Sequence, residues 1–493
     1  MKPVDQIQDR HELLFMGLMI ILANLGLVVA ALMSPSINQD VAFPFSWGVV
    51  LAVCGLTFLV SRYLGYIYPD YQVYLHPPVQ ISIWLLVSML FPGMLGFYDP
   101  NISFRFVDYS ELVAGWVVIL QGVFALWFGY ILGMKFFDYR RNQSESVIRP
   151  DVNQFICIIF YILLVSLVFL RIMVTGIAYG SNSANWGWFI IFDSTISYLD
   201  NSRYIFLIIA LLGAIKYKWP KSISITFILV EICLALISGF TKPILWLILT
   251  LVATYHLSRF RISKRYFFLI GLAGIVATIL GIGVVPIAEK IRENIGQYDN
   301  TSVTGAAEGV LFAYSTSWGQ GLDVGWNIFA DKMLGRQVAV SQMMGVIVAK
   351  TPKYVPHEGF ERFFAIPTYI IPRFIHPDKP ILSRGVWFSV NYLDMPENTV
   401  SSSAMTIFGE TYIFSGILGT IFGLLILGIL LSFIFTRYMR YSGGIILLTL
   451  LPTYLNIEGQ YSTMVVALLQ GMLVHALIYW LAVQFSQSPK YDK

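Results

Sequence analysis

The stretch "IPRFIHPDKPILSRG", residues 371–385, places several cations among prolines in a chain that is otherwise apolar. Its permanent cations are Arg373, Lys379 and Arg384. Because proline lacks a backbone N–H and fixes its own φ angle, the stretch cannot form one helix and is stiffened into extended and turn geometry. Guanidinium groups match phosphate oxygens in shape and stay charged, so a stiff loop that holds several of them suits a phosphate or diphosphate.

The residues around this stretch enlarge the cationic cluster. Between residues 350 and 384 the cations outnumber the anions six to three: Lys350, Lys353, Arg362, Arg373, Lys379 and Arg384 against Glu358, Glu361 and Asp378. Just before them, helical spacing places Arg336 on one stripe with Met333, Val340, Met343 and Ile347. An arginine on an apolar stripe must reach water, pair with a carboxylate or hold an anionic ligand.

We therefore expect an anion-binding site, formed by Arg336, Arg362, Arg373, Lys379 and Arg384. Three alternatives remain open for each cation: pairing with a local carboxylate, contact with anionic lipid headgroups, and simple exposure to water. Lys242, in "SGFTKPILWLIL", begins a predicted helix on the same side of the membrane. It either adds to the anion site at the positive end of that helix or extends to the lipid phosphates.

Five side chains near the cluster are candidate general bases: His357, Glu358, Glu361, His376 and Glu410. We take His357 and Glu410 as the candidate catalytic residues. Glu410 follows serines that can cap a helix, and that helix would carry it into the membrane. Because an acid there is costly to bury, we expect Glu410 either to pair with a loop arginine or to take part in the chemistry.

Other kinds of chemistry find no support in the sequence. It contains no Walker-type loop, HExxH, GxSxG or CxxC motif. The cysteines, Cys54, Cys157 and Cys233, lie in apolar segments, as small buried hydrophobic residues do. The sequence therefore predicts no metal, no cofactor and no ATP hydrolysis.

The elements that must position these side chains are membrane helices. The chain is 57% hydrophobic and 12% charged, a composition typical of an integral membrane protein. Its formal charge of +4 is too small for nucleic acid binding. The apolar runs long enough to cross the bilayer predict an all-α protein with about twelve transmembrane helices. They lie near residues 13–34, 46–64, 78–98, 112–134, 153–175, 203–217, 221–239, 242–258, 266–287, 411–436, 443–456 and 462–484.

The distribution of Lys and Arg predicts the orientation of these helices. Cytoplasmic loops carry an excess of Lys and Arg. In a twelve-helix scheme the cationic segments all fall on the side of the N-terminus, so both termini are predicted to be cytoplasmic. These segments carry Lys135, Arg140, Arg141 and Arg149; Lys216, Lys218 and Lys221; Arg259, Arg261, Lys264 and Arg265; Arg437 and Arg440; Lys490 and Lys493. The long polar interruption at residues 288–410 must then face outward.

This scheme divides the chain into three regions. Residues 1–287 form a membrane domain of about nine helices, residues 288–410 an extracytoplasmic loop region, and residues 411–493 the C-terminal membrane helices. The loop region is rich in aromatic residues and is expected to contain two helices, near 305–318 and 322–350. A loop of this length and composition is expected to be functional.

Several features together resemble one known family. They are the helix layout, the large outward loop, the "SGFTK" turn, and the sequences "ERFFAIPTYIIPRFIHPDKP" and "SSSAMTIFGETYIFSG". The chain resembles the O-antigen polymerase (Wzy-type) family of polysaccharide repeat-unit polymerases, best over residues 230–420. Where relatives often have an arginine after the turn, this chain has Lys242, which cannot make the same bidentate phosphate contact.

The resemblance implies a function. It implies a GT-C-like membrane glycosyltransferase of the bacterial inner membrane that polymerises undecaprenyl-diphosphate-linked oligosaccharide repeat units of O-antigen, capsule or exopolysaccharide at the outer face. Its arginines, carried over to Arg336, Arg362, Arg373 and Arg384, would hold the diphosphate. The implied partners are the lipid-linked oligosaccharide, membrane lipid and a chain-length regulator protein.

Two other functions compete with polymerisation. An O-antigen ligase would use the same donor and pass the chain to a different acceptor, and sequence alone does not separate the two. A flippase or transporter of lipid-linked sugars would have charges along its spanning helices. The predicted helices hold few ionisable groups, mainly Glu231 and His475, so the sequence favours an enzyme.

Overall fold

The computed structural model describes residues 39–67, 75–95, 97, 107–137, 152–175, 198–237, 241–258, 335–371, 375–376, 384–397, 399 and 403–487. Of these residues, 84% are helical and none lies in a strand, which confirms the all-α class. The helices in chain order are α1 (Gln39–Ile67), α2 (Pro77–Leu95, with a π-helical turn inside), α3 (Tyr109–Phe136), α4 (Gln154–Thr175), α5 (Arg203–Lys216), α6 (Lys221–Ile237), α7 (Thr241–Leu257), α8 (Arg336–Lys350), α9 (Glu361–Ala365), α10 (Gly385–Leu393), α11 (Ile407–Ser442), α12 (Ile445–Thr449), α13 (Leu451–Tyr454) and α14 (Tyr461–Ser486).

Within the described residues, 6 helices are long and apolar enough to cross a membrane: α1, α2, α3, α5 with the turn before it, α11 and α14. They occupy positions where spans were predicted, and they make this a membrane-embedded protein. The shorter α6 and α7 also lie at predicted positions, but at 17 residues each they rise only about 26 Å, less than the hydrocarbon thickness of about 30 Å. The predicted spans 13–34 and 266–287 lie outside the described residues.

Helices α3 and α11 form the most extensive interface and run in the same direction. A capping box of Asp108 and Glu111 begins α3. The two helices approach closely because glycines line their contact: a Cβ at Gly129 would lie 2.2 Å from the carbonyl oxygen of Leu425. Any larger side chain at this position would push the helices apart.

Helix α8 packs into this bundle although it belongs to the predicted outward loop. The indole N–H of Trp116 on α3 donates to the carbonyl of Ser341 at 3.2 Å. A Cβ at Gly115 would lie 2.5 Å from the backbone nitrogen of Gly345. Of the predicted stripe, Val340, Met343 and Ile347 are buried and Arg336 is exposed, but residues between them such as Val338 and Met344 are buried as well, so α8 is enclosed on more than one face. Met333 lies outside the described residues.

Residues 443–456 do not form the single helix that was predicted. Gly443 and Gly444 turn the chain with positive φ angles of 59° and 90°. Two short buried helices, α12 and α13, then lead back toward the start of α11, where the N–H of Ile407 donates to the carbonyl of Ile457 at 3.0 Å. Such irregular backbone is tolerated at membrane depth because it is enclosed by protein.

Candidate functional site

The centre of the candidate site is Glu358, which binds two arginines. Both terminal nitrogens of Arg384 donate to its carboxylate, one of them at 2.8 Å. The Nε of Arg362 lies 3.1 Å from Oε2 of the same carboxylate. We call these three side chains the clamp. Two guanidinium groups and one carboxylate leave the clamp with a formal surplus of one positive charge.

A break in α11 holds Glu358 in place. Ser415 and Gly416 have non-helical angles, and the φ of 63° at Gly416 favours glycine. The break leaves the carbonyls before it without helical partners. The N–H of Glu358 donates to the carbonyl of Ile413 at 3.1 Å, and the N–H of Gly359 donates to that of Phe414 at 2.8 Å. The clamp is therefore fixed to a membrane helix by backbone hydrogen bonds.

Arg384 is fixed from its other side by α10. Its guanidinium lies over the ring of Trp387, 3.9 Å from the centroid, in a cation–π contact. Helix α10 is tied to the end of α8, where the hydroxyls of Tyr392 and Thr351 lie 2.5 Å apart. Burial raises the pKa of Tyr392 to about 12, so this hydroxyl stays protonated at neutral pH. Arg384 is consequently oriented before any ligand binds.

The two arginines of the clamp differ in exposure. The side chain of Arg362 is 48% exposed, whereas that of Arg384 is 18% exposed. Arg362 is therefore the more accessible of the two to a ligand from solvent. Arg384 is the more rigid of the two because Glu358 and Trp387 both hold it.

His357 lies next to the clamp and is exposed. Its Nδ1 is 3.4 Å from the carbonyl oxygen of Ile413. Since a carbonyl can only accept, this contact favours the tautomer with hydrogen on Nδ1 and leaves the Nε2 lone pair available. The ring of Tyr412 meets His357 edge-on, with centroids 5.9 Å apart. His357 is thus an exposed candidate base that is adjacent in sequence to Glu358 of the clamp.

Glu410 lies in a different environment. It is 1% exposed, and its two oxygens accept from the backbone N–H and the hydroxyl of Ser462 at 2.8 Å and 2.6 Å. This contact places a carboxylate at the start of α14, where the helix dipole favours negative charge. Of the two candidate bases, His357 borders the clamp in an exposed position, whereas Glu410 joins α11 to α14 from a buried one.

The other predicted cations that the structure describes pair with carboxylates outside the clamp. Arg336 lies 3.5 Å from Oε2 of the buried Glu458 and is itself 56% exposed. Lys350 pairs with Asp394 at 2.7 Å. Arg336, Arg362 and Arg384 thus each have a carboxylate partner, as one of the alternative interpretations expects. Arg373 and Lys379 lie outside the described residues, as does the side chain of Lys242 in the first turn of α7.

A second group of charged residues surrounds Glu231, one of the few ionisable residues that the sequence places inside the predicted helices; its partners Asp200 and Arg203 were not predicted. Arg203 donates from Nε to both oxygens of Glu231, at 2.9 Å and 3.0 Å, and from a terminal nitrogen to Asp200. The hydroxyl of Tyr161 also donates to Glu231, at 3.1 Å. We call this group the buried cluster. Asp200 and Arg203 lie at the boundary of the predicted span 203–217, so the sequence did not place them within the membrane, but the candidate span Tyr198–Lys216 includes both.

The sequence was compared with known proteins and families. Residues 168–457 match the family described as Domain of unknown function (DUF8712), which is more than half of the chain. The chain belongs to the DUF8712 family. No curated protein and no solved structure matches it. The matched range contains the clamp, His357 and Glu410, so the candidate site lies within the part of the chain that defines membership of this family.

Proposed function

We propose that this protein is a bacterial inner-membrane glycosyltransferase that polymerises undecaprenyl-diphosphate-linked oligosaccharide repeat units at the outer face of the membrane. The observation that carries the proposal is the clamp: two guanidinium groups share one carboxylate and retain a positive charge beside the exposed His357. Guanidinium groups bind diphosphate oxygens with geometric specificity. The resemblance of the loop sequences to O-antigen polymerases supplies the substrate class.

The location of the clamp supports an outward-facing site. The clamp contacts α11 near Ile413 and Phe414, close to its N-terminal end. The cations Arg437 and Arg440 lie at the opposite end of α11, and Lys135 lies in the last turn of the parallel α3. Positively charged helix ends are typical of the cytoplasmic side. The clamp then belongs to the outer side.

In the proposed reaction, an acceptor sugar hydroxyl attacks the anomeric carbon of a lipid-linked chain. The bond from that carbon to the diphosphate oxygen breaks, and the lipid diphosphate leaves with the electron pair. Arg362 and Arg384 stabilise the negative charge that grows on the leaving group. Nε2 of His357 accepts the proton of the attacking hydroxyl. Glu358 orients both arginines so that little reorganisation is needed in the transition state.

The test is an assay with full-length protein in lipid nanodiscs and a synthetic polyprenyl-diphosphate oligosaccharide, with products separated by size. A polymerase produces a ladder of multiples of the repeat unit, and Arg384→Ala should lower its rate by about 10²–10³-fold. Lys350→Ala, which removes a cation of the same region that pairs with Asp394 instead of Glu358, is the matched control and should keep the wild-type rate.

Each other outcome of this assay points to a different function. A single transfer to an added acceptor, with no ladder, would identify a ligase-type transferase. A donor left unchanged by the wild-type protein would contradict the proposed glycosyltransferase.

A transporter of lipid-linked oligosaccharides is the second candidate, and the buried cluster favours it. Charged groups within spanning helices are costly and mark transport pathways in many membrane proteins. Tyr161, which donates to Glu231, also lines an apolar groove of about 380 Å³ between α4 and α6. Reconstituted vesicles test this function: movement of the donor across the bilayer without any change in its size would support the transporter and contradict the enzyme.

A further inference from the structure

Residues 360–371 form a mostly apolar segment that packs against the sides of α11 and α14, and we call it the interfacial segment. It comprises α9 and a 3-10 turn, Ile366–Ile370. From residue 363 to residue 371 it contains no charged side chain. Phe364 is 72% exposed and Ile371 is 43% exposed. Exposed apolar patches of this kind mark surfaces that contact a membrane or another protein rather than water.

One face of the interfacial segment is anchored to membrane helices. The ring of Phe363 packs edge-on against Phe414 and Phe422 of α11, with centroids 4.8 Å and 5.4 Å apart, and against Tyr461 of α14 at 5.8 Å. The side-chain amide of Gln470 on α14 donates to the carbonyl of Ile370 at 2.6 Å. The segment therefore lies along the sides of these helices rather than beyond their ends.

These contacts give the depth of the segment. Gln470 follows the first residue of α14 by nine positions, so Ile370 lies about 14 Å along the helix from its outer end. A helix of 26 residues is about 39 Å long and extends beyond a hydrocarbon core of about 30 Å by roughly 4–5 Å on each side, if it is centred and upright. Ile370 is then about 9 Å inside the hydrocarbon.

We propose that the interfacial segment inserts into the outer leaflet and that lipid acyl chains cover Phe364 and Ile371. The exposed face continues onto apolar residues of α11 that also face outward, such as Leu418, which is 68% exposed. Inside the leaflet a backbone carbonyl needs a partner, and Gln470 supplies one to Ile370. Arg362, which directly precedes the apolar run, then lies near the lipid phosphates.

The insertion does not depend on the proposed glycosyltransferase, because it rests on exposure, depth and the orientation given by the cations at the ends of α3 and α11. It states where the segment lies, whatever reaction the protein performs. Its failure and the failure of the proposed function are therefore separate results of separate experiments.

Spin labels at single cysteines in full-length protein in nanodiscs test the insertion. Power saturation compares collisions with oxygen, which enters the hydrocarbon, and with a nickel chelate, which stays in water. Cys54 and Cys233 are replaced by alanine, and the buried Cys157 is kept. The labelled variants are Phe364→Cys, Leu418→Cys as the lipid reference and Tyr354→Cys as the water reference, at positions 72%, 68% and 68% exposed.

A label at position 364 should behave like the label at position 418: accessible to oxygen, with loss of the nickel collisions observed at position 354. Nickel access equal to that at position 354 would overturn the insertion. Access to neither reagent would also overturn it, because a second copy or another protein would then cover the segment. Ile371→Cys, at a position of the same segment that is 43% exposed, repeats the test if Phe364→Cys does not fold.

Discussion

At the scale of single residues, one of the two arginine partners of Glu358 could be predicted from the sequence and the other could not. The spacing of Glu358 and Arg362, four positions apart, makes their pairing foreseeable once a turn is assumed. Arg384 is 26 positions from Glu358, and no local pattern indicates that it completes the clamp. The cations, His357 and Glu410 could be identified as candidates from residue type. The sequence could not show that Glu358, Arg362 and Arg384 form a partly exposed clamp while Glu410 forms a buried link to Ser462.

The two candidate bases can be distinguished by mutation. His357→Gln removes the Nε2 lone pair beside the clamp and should lower the polymerisation rate by about 10²–10⁴-fold while the melting temperature stays unchanged. Glu410→Gln turns an amide toward the two donors of Ser462 and should lower the free energy of unfolding by about 1–3 kcal/mol. Rate and thermal unfolding are measured on the same preparations. A stable Glu410→Gln protein without activity would instead assign the base to Glu410.

At the scale of elements, long helices followed from apolar runs, because length and hydropathy alone decide whether a segment can span the bilayer. The positions of α1, α3, α11 and α14 were predictable on that ground. The break in α11 and the packing of α8 against α3 were not, because both depend on glycine contacts between distant parts of the chain. A short apolar stretch such as residues 443–456 does not show whether it forms one helix or two.

The contact between α3 and α11 gives a prediction of stability. Gly129→Ala places a Cβ against the carbonyl oxygen of Leu425, 2.2 Å away, and should lower the free energy of unfolding by about 1–3 kcal/mol. Gly48→Ala in α1 is the matched control, since no atom lies within 4 Å of its Cβ position. Thermal unfolding in one detergent compares the two variants. Equal stability of both would mean that α3 and α11 do not pack this closely.

The buried cluster gives a second prediction at this scale. Arg203→Met leaves Asp200 and Glu231 without their cation and should lower the free energy of unfolding by about 3–5 kcal/mol. Glu231→Gln leaves Arg203 paired with Asp200 and should cost less. Both variants are compared by thermal unfolding and by the yield of monodisperse protein. A larger loss for Glu231→Gln would show that the pairing described here does not set the stability of these helices.

At the scale of the whole molecule, membrane embedding and an all-helical fold followed from composition and periodicity. The orientation rests on the cations at the helix ends opposite the clamp. The extent of the predicted loop region 288–410 was less predictable: α8 is part of the helical bundle, and the interfacial segment lies along α11 and α14. Polar composition indicates a break between spans, but it does not show how deeply such a segment packs.

The most direct test of the central claim is the binding of polyprenyl diphosphate to the full-length protein in nanodiscs, with polyprenyl monophosphate as competitor. The wild type should prefer the diphosphate. Arg384→Lys keeps the charge, but a lysine cannot donate two parallel hydrogen bonds to the diphosphate, and this variant should bind the diphosphate about tenfold more weakly. Lys350→Arg should bind like the wild type. Equal affinity of Arg384→Lys and wild type for the diphosphate would contradict the clamp as its binding site.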